Sequence, residues 1–263
     1  MTAPDPSTLT ILDTVPFTED ADTFLKVIDI DPSSEFADEA LELFNAGAQV
    51  AAPKAVYRVC YIESKSDSGI RTEGIELCSR IMRVNLNDAE RLFPFIATCG
   101  QELDEWAAGI TDPLHRFWAD SLRECALRCV FSRFTAHLKT TVNPGSTAVM
   151  TPGSLEDWPI EEQATVFRLL GRGPERVGVT LTDSYLMIPT KSLAGVIVPT
   201  KKDFVNCKLC PRENCSGRQA PYDPEFYKMH YAQFMDGMHG MDSIDNMDGM
   251  DRSDRSDRSD RSD

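Results

Sequence analysis

Cys207, Cys210 and Cys215 are the residues of this chain best suited to chemistry. They stand in the pattern Cys-x2-Cys-x4-Cys within the polar stretch Asn206-Cys207-Lys208-Leu209-Cys210-Pro211-Arg212-Glu213-Asn214-Cys215. A turn at this spacing can direct several thiolates to one centre, while Lys208, Arg212 and Arg218 offset their negative charge. Such a loop suits zinc or an iron–sulfur cluster. Both ordinarily take four protein ligands and only three are local, so the fourth comes from another part of the chain or from an external group.

The other five cysteines invite a plainer account. Cys60, Cys78, Cys99, Cys125 and Cys129 are scattered through apolar-periodic segments, where free cysteine serves as a small buried hydrophobe. A chain of 263 residues with no export signal needs no disulfide framework. No paired acid and base suggests hydrolysis, and neither an Asp-x-His-x-x-Gly corrinoid signature nor a glycine-rich dinucleotide motif is present.

Composition narrows the partners. The formal charge is −15, and the first forty residues hold ten acidic side chains against one basic one, Lys26. Such a surface repels nucleic acid phosphates. No stretch is apolar for the roughly 18 residues a membrane span needs, and the N-terminus lacks a basic-then-apolar leader, so a cytoplasmic location is expected.

The elements that must position the cysteine loop can be read from periodicity. Residues 1–24 read as an irregular acidic leader. A short helix is predicted from Ala37, with Ala40, Leu41 and Phe44 on one face and Gly47 as its stop. Val56 to Ile62 and Ile75 to Leu77 read as strands. After Asp112-Pro113, Leu114, Trp118, Leu122, Cys125 and Cys129 share one face of a helix running to about Lys139, with Asp112 as its cap. A further helix is expected over Pro159 to Leu170, with Ile160, Ala164, Phe167 and Leu170 inward. Val177 to Leu181 and Leu193 to Val198 read as strands, Gly195 permitting close backbone approach.

Helices and strands mix without a regular βαβ repeat, so the fold class expected is α+β, an antiparallel sheet flanked by helices. Residues 25–232 form the folded unit, with the cysteine loop at 204–222. Residues 233–263, a Met/Asp/Gly stretch and then a repeated Asp-Arg-Ser tripeptide, read as a disordered tail without the ligand pattern of a calcium loop.

Thr182-Asp183-Ser184-Tyr185-Leu186-Met187-Ile188-Pro189, followed by Lys191-Ser192-Leu193-Ala194-Gly195-Val196, resembles a block of the activation domain of cobalamin-dependent methionine synthase. Pro152-Gly153 resembles the Pro-Gly of that domain's S-adenosylmethionine turn, and Gly178-Val179-Thr180-Leu181 the strand before the Thr-Glu-Ser block. The resemblance spans roughly residues 25 to 222. It implies the fold of that domain and places Pro152, Gly153, Ser154, Asp183 and Ser184 at an S-adenosylmethionine pocket. The family turn carries an arginine and a tyrosine where Val149 and Ser154 stand here, so the bidentate partner of the ligand carboxylate is missing, with Arg168, Arg172 or Lys191 as substitutes. Trp158 could stack on an adenine or anchor the following helix.

The resemblance also implies a task. The family domain binds S-adenosylmethionine and, with a reductant, remethylates cobalamin whose cobalt has left the Co(I) state. The cysteine loop resembles the ending of stand-alone members of the family, and Cys99, beside Gly100 in a family-like loop, becomes the candidate fourth ligand. Reactivation needs a one-electron donor, which favours an iron–sulfur cluster of the 4Fe-4S type over zinc. The expected function is thus reductive activation of a separate corrinoid-binding methyltransferase that carries the cobalamin. The alternative is a docking module with a structural zinc site.

Overall fold

Arg91–Thr98 is apolar at most positions, and in the computed structural model it is the strand around which the molecule is built, buried at every residue after the first. The structure describes residues 9–13, 15–155, 157–201, 204–210, 213–214, 218 and 220–232. Ten strands are formed there: β1 (Thr10–Leu12), β2 (Lys54–Tyr57), β3 (Cys60–Lys65), β4 (Ile70–Thr72), β5 (Ile75–Leu77), β6 (Arg91–Thr98), β7 (Thr147–Met150), β8 (Thr180–Leu181), β9 (Met187–Ile188) and β10 (Ser192–Pro199). The α-helices are α1 (Ala21–Val27), α2 (Ala37–Val50), α3 (Arg80–Asn85), α4 (Gln101–Ala108), α5 (Pro113–Val142), α6 (Gln163–Leu170), α7 (Gly173–Arg176), α8 (Asn206–Leu209) and α9 (Pro224–Tyr227).

Eight strands make one antiparallel sheet. On one edge of β6 lies β10, followed by β7; on the other lie β2 and β3, extended by β1 and by β4–β5. The strand expected over Val56 to Ile62 is divided between β2 and β3, for a reason visible in the register. Tyr57 faces Phe95 and Cys60 faces Leu92, so one register runs through both strands. Arg58 N–H donates to the Pro94 carbonyl at 3.1 Å, but proline has no N–H to return, and the ladder breaks.

Side chains alternate across the sheet and feed two cores. Val56, Leu92, Ile96, Ala194 and Val196 face α3, α6 and Trp158, whereas Ala55, Tyr57, Phe93, Phe95 and Ile197 face Val130, Phe134 and Leu138 of α5. A third, helical cluster joins α1, α2, α4 and the first half of α5. The α+β architecture with helices flanking an antiparallel sheet is thus the one the sequence implies.

Several local expectations are corrected. The leader is not wholly irregular: Thr10–Leu12 adds a β-prone strand to β2, and Asp20 caps α1 by accepting from Thr23 N–H at 2.8 Å. Helix α2 runs through Gly47 to Val50, because Gly47 is a contact point for Leu122 and Trp106, not a terminus. Helix α5 is capped as expected, Asp112 accepting from Leu114 and His115 N–H at 2.9 Å each. Its buried stripe, however, runs through Trp118, Leu122, Cys125, Ala126, Val130, Phe134 and Leu138, while Leu114 is 42% exposed.

The helix expected from Pro159 opens with a 3-10 turn over Ile160–Glu162. Tighter winding there rotates the following face, so Gln163, Val166, Leu169 and Leu170 point inward while Ile160 is exposed. Val177 ends the short helix α7, and only Thr180–Leu181 of that stretch forms a strand. The tail at 233–263 lies outside the described residues.

Candidate functional site

Thr151-Pro152-Gly153-Ser154 closes a β-turn through Ser154 N–H to Thr151 C=O at 3.1 Å. Proline presets the second position, and the third demands positive φ, which Gly153 supplies at +79°. A side chain there would also press on Ile160 Cδ1, 3.0 Å from the position of a Cβ. The turn is anchored from behind by Gly153 N–H donating to Trp158 C=O at 2.8 Å. Pro152 is buried, whereas Gly153 and Ser154 are exposed.

Asp183 and Ser184 sit on the exposed tip between β8 and β9, where Thr182 Oγ1 lies 3.1 Å from Ser184 Oγ and accepts from Leu186 N–H at 3.0 Å. The hairpin leads directly into the Ser192 end of β10. Strand β7 runs antiparallel to β10, with Met150 opposite Val196, so the Pro152–Gly153 turn emerges toward that same end. The sheet thereby carries both sequence-predicted segments to one end.

The cysteine loop is tied to the same turn. Asn206 Nδ2 donates to Thr151 Oγ1 at 3.4 Å, and Thr151 Oγ1 in turn lies 2.6 Å from Ser154 Oγ. Asn206 Oδ1 is buried there without a hydrogen-bond partner among the described residues. Cys207 lies within the single turn of α8 and Cys210 is its C-cap, both partly buried. The Arg218 guanidinium gathers the loop, donating to Cys207 C=O at 3.3 Å, Ala220 C=O at 3.2 Å and Cys210 C=O at 3.4 Å. Lys208 Nζ lies 4.9 Å from the Phe226 ring centre, a cation–π contact that pins α8 to α9. Cys215 and Arg212 lie outside the described residues.

Cys99 is not brought to this loop. It is fully buried in the helical cluster with Phe24, Leu103 and Trp118, and its thiol faces its neighbour's carbonyl, Gly100 C=O, at 3.6 Å. Desolvation pushes that thiol up to about 12. Among the described residues no group of three or more His, Cys, Asp or Glu side chains is arranged to hold a metal. Cys99, Cys207 and Cys210 therefore do not form a ligand set among themselves.

The substitutes for the missing arginine are already engaged. Lys191 Nζ pairs with Asp120 at 2.9 Å, Arg168 donates to Thr165 Oγ1 at 2.9 Å, and Arg172, highly exposed, lies 3.7 Å from Glu175. Trp158 is fully buried beneath the turn and packs in the core, so it anchors the start of its helix instead of offering a face for stacking.

Sequence reasoning missed two features. Asp157 is a largely buried carboxylate that accepts from Ser79 Oγ and Ile81 N–H at 3.0 Å each, bonding the Trp158 turn to the start of α3. Burial raises its pKa against those bonds. The second feature is a cavity of about 860 Å³ between α3, the Pro144–Ser146 loop and the chain leaving β10. It adjoins the opposite end of β7 from the turn, and none of Pro152, Gly153, Ser154, Asp183 or Ser184 lines it. Its walls come from four separated segments, which no local pattern announces.

No protein-family model matches the chain, and no curated protein matches it. Among solved structures, the chain is similar to the MetH reactivation domain bound to AdoHcy, with a TM-score of 0.55 and 14% sequence identity over 79% of this chain and 84% of that one. At that identity the likeness establishes the fold alone, that of the reactivation domain. Among the described residues, no helix is long and apolar enough to cross a membrane.

Proposed function

We propose that this chain reactivates a cobalamin-dependent methionine synthase or a related corrinoid methyltransferase. The observation that carries the reading is the shared fold over four-fifths of both chains, since the neighbour is a reactivation domain with AdoHcy bound. The Pro152–Gly153 turn, identified from sequence alone, takes the backbone form a close-approach ligand turn needs.

In this reading S-adenosylmethionine or its demethylated product binds across the Pro152–Ser154 turn and the Asp183–Ser184 tip. Gly153 holds the turn in shape through its positive φ, and Asn206 Oδ1 accepts from a ligand N–H. With Val149 in place of the family arginine and Lys191 held by Asp120, the ligand carboxylate lacks a bidentate partner, so binding is weaker than the family pattern provides.

The cysteine loop suits a metal centre by its donor set and by the cation at its hub. Cys207, Cys210 and Cys215 would hold an iron–sulfur cluster, with an external group in place of a fourth cysteine, and Arg218 would offset the negative charge of the thiolates. When bound, such a cluster supplies single electrons at low potential. The chain's own part is to tie the residue before Cys207 to the ligand turn through the Asn206–Thr151 hydrogen bond, so that the electron for a partner's cob(II)alamin and the methyl donor arrive together.

Three measurements test this. Anaerobically purified protein should be brown, with iron and acid-labile sulfide that disappear in a Cys207→Ser/Cys210→Ser/Cys215→Ser variant; a colourless product holding one zinc leaves only the docking-module reading. Calorimetric titration with S-adenosylhomocysteine should give binding that Gly153→Val abolishes. Reduced with dithionite, freed of excess reductant and mixed with cob(II)alamin-loaded methionine synthase and S-adenosylmethionine, the native chain should yield a methyl-cobalamin spectrum, and no change in the cob(II)alamin spectrum would defeat the proposal.

A further inference from the structure

The large cavity beyond the other end of β7 has a charge that contradicts the chain around it. The protein carries −15 overall, yet Arg80 and Arg83 of α3 and Lys201 after β10 line this space against two acids, Asp67 and Asp88. A fourth cation stands behind the wall: Lys65 Nζ donates to the carbonyls of Asn87 and Ala89 at 2.7 Å each, under the loop that forms one side.

One of these cations is fixed in place. Arg83 Nε donates to Ser66 C=O at 3.1 Å and its Nη1 to Asn87 Oδ1 at 3.1 Å, using two of the five N–H groups of a guanidinium. Its plane is held before any ligand arrives, which lowers the ordering cost of binding a carboxylate or phosphate. Asp88 is occupied on its own side, accepting from Asn87 Nδ2 at 2.9 Å. Around the cations, Val84, Pro144 and Pro199 supply apolar walls. The floor is rigid as well, because buried Asn85 donates to Ile81 C=O and to Tyr231 Oη at 2.9 Å each and accepts from Thr200 Oγ1 at 3.4 Å.

We propose that this cavity is a second ligand site, separate from the Pro152–Gly153 turn, and that it takes an organic anion with an apolar body carrying a phosphate or carboxylate. A volume of about 860 Å³ falls within the range of small-molecule sites, and an apolar wall with a few cations, one of them fixed, suits an amphiphilic anion. The site does not depend on the reactivation reading, since none of its residues belongs to the turn or the cysteine loop.

The probe is 8-anilinonaphthalene-1-sulfonate, followed by fluorescence titration of the full chain. Saturable binding is expected, weakened at least tenfold by Arg83→Gln and by Ser146→Trp, which fills the mouth from an exposed position, with thermal melting unchanged in the second variant. Phenyl phosphate and benzoate serve as competitors: displacement by the first alone identifies a phosphate site, by the second alone a carboxylate site. Saturating S-adenosylhomocysteine should leave the probe's affinity unchanged. The proposal falls if Ser146→Trp binds the probe as the native chain does, if neither competitor displaces it, or if S-adenosylhomocysteine competes with it.

Discussion

Asn206 donates its side-chain amide to the Thr151 hydroxyl at 3.4 Å, joining the residue before Cys207 to the turn that begins at Pro152. Fifty-five residues separate the two in sequence. Through this bond, and through the 2.6 Å contact of Thr151 with Ser154, the cysteine loop and the candidate ligand turn share one polar hub.

Replacing that hub should loosen both sides. Thr151→Val removes the two contacts and strands a partly buried amide donor, a loss of about 1–2 kcal/mol. Hydrogen exchange is expected to quicken at the amides of 206–210 and at Ser154, while the amides of β6 stay protected. Unchanged exchange across 206–210 would mean that the bond does not organise the loop.

Gly47 is a packing residue. A methyl group there would meet Leu122 Cδ2 and lie 2.9 Å from the Trp106 ring, so Gly47→Ala should cost about 1–3 kcal/mol from overpacking. The gain in helix propensity, about 1 kcal/mol, offsets part of this. Urea unfolding should give a lower midpoint with an unchanged slope; a stabilised variant would show that Leu122 and Trp106 give way and that helix propensity outweighs the packing conflict.

Asp157 gives a pH signature. Burial raises its folded pKa above the ordinary carboxylate value, so the folded state binds its proton more tightly than the unfolded state. Stability from this group is therefore greatest in acid and is lost as pH rises from the unfolded value through the raised folded one. The native-minus-variant difference in unfolding free energy against Asp157→Asn should fall with pH over that window. A difference that rises with pH would show the carboxylate's bonds from Ser79 and Ile81 outweighing its burial.

Thiol labelling should divide the cysteines. Burial pushes Cys60 and Cys99 up to about 12, leaving on the order of one thiolate in 10,000 at pH 8. Both side chains are also fully buried. In metal-free native protein, a brief pulse of N-ethylmaleimide read by mass spectrometry should modify Cys207 and Cys210 well before either. Equal labelling of Cys99 would place it at an accessible site after all.

Features readable from the order of residues were those that short-range chemistry dictates. Asp112-Pro113 opened α5, Gly195 lay in β10 where the strand crosses Met150, and Thr151-Pro152-Gly153 formed its turn because proline and glycine fix the backbone locally. The spacing of Cys207, Cys210 and Cys215 was legible for the same reason. Tertiary structure alone decided the rest. A glycine in a helix reads as a stop until Leu122 is seen packed against Gly47, and one strand becomes two only because Pro94 faces Arg58 across the sheet. Cys99 was buried by helices in a cluster that includes neither Cys207 nor Cys210, and the cavity around Arg83 was assembled from four segments spread between Ser66 and Lys201. Periodicity records which face of an element is apolar, but not which distant residue covers it, because that partner is chosen by packing across the whole chain.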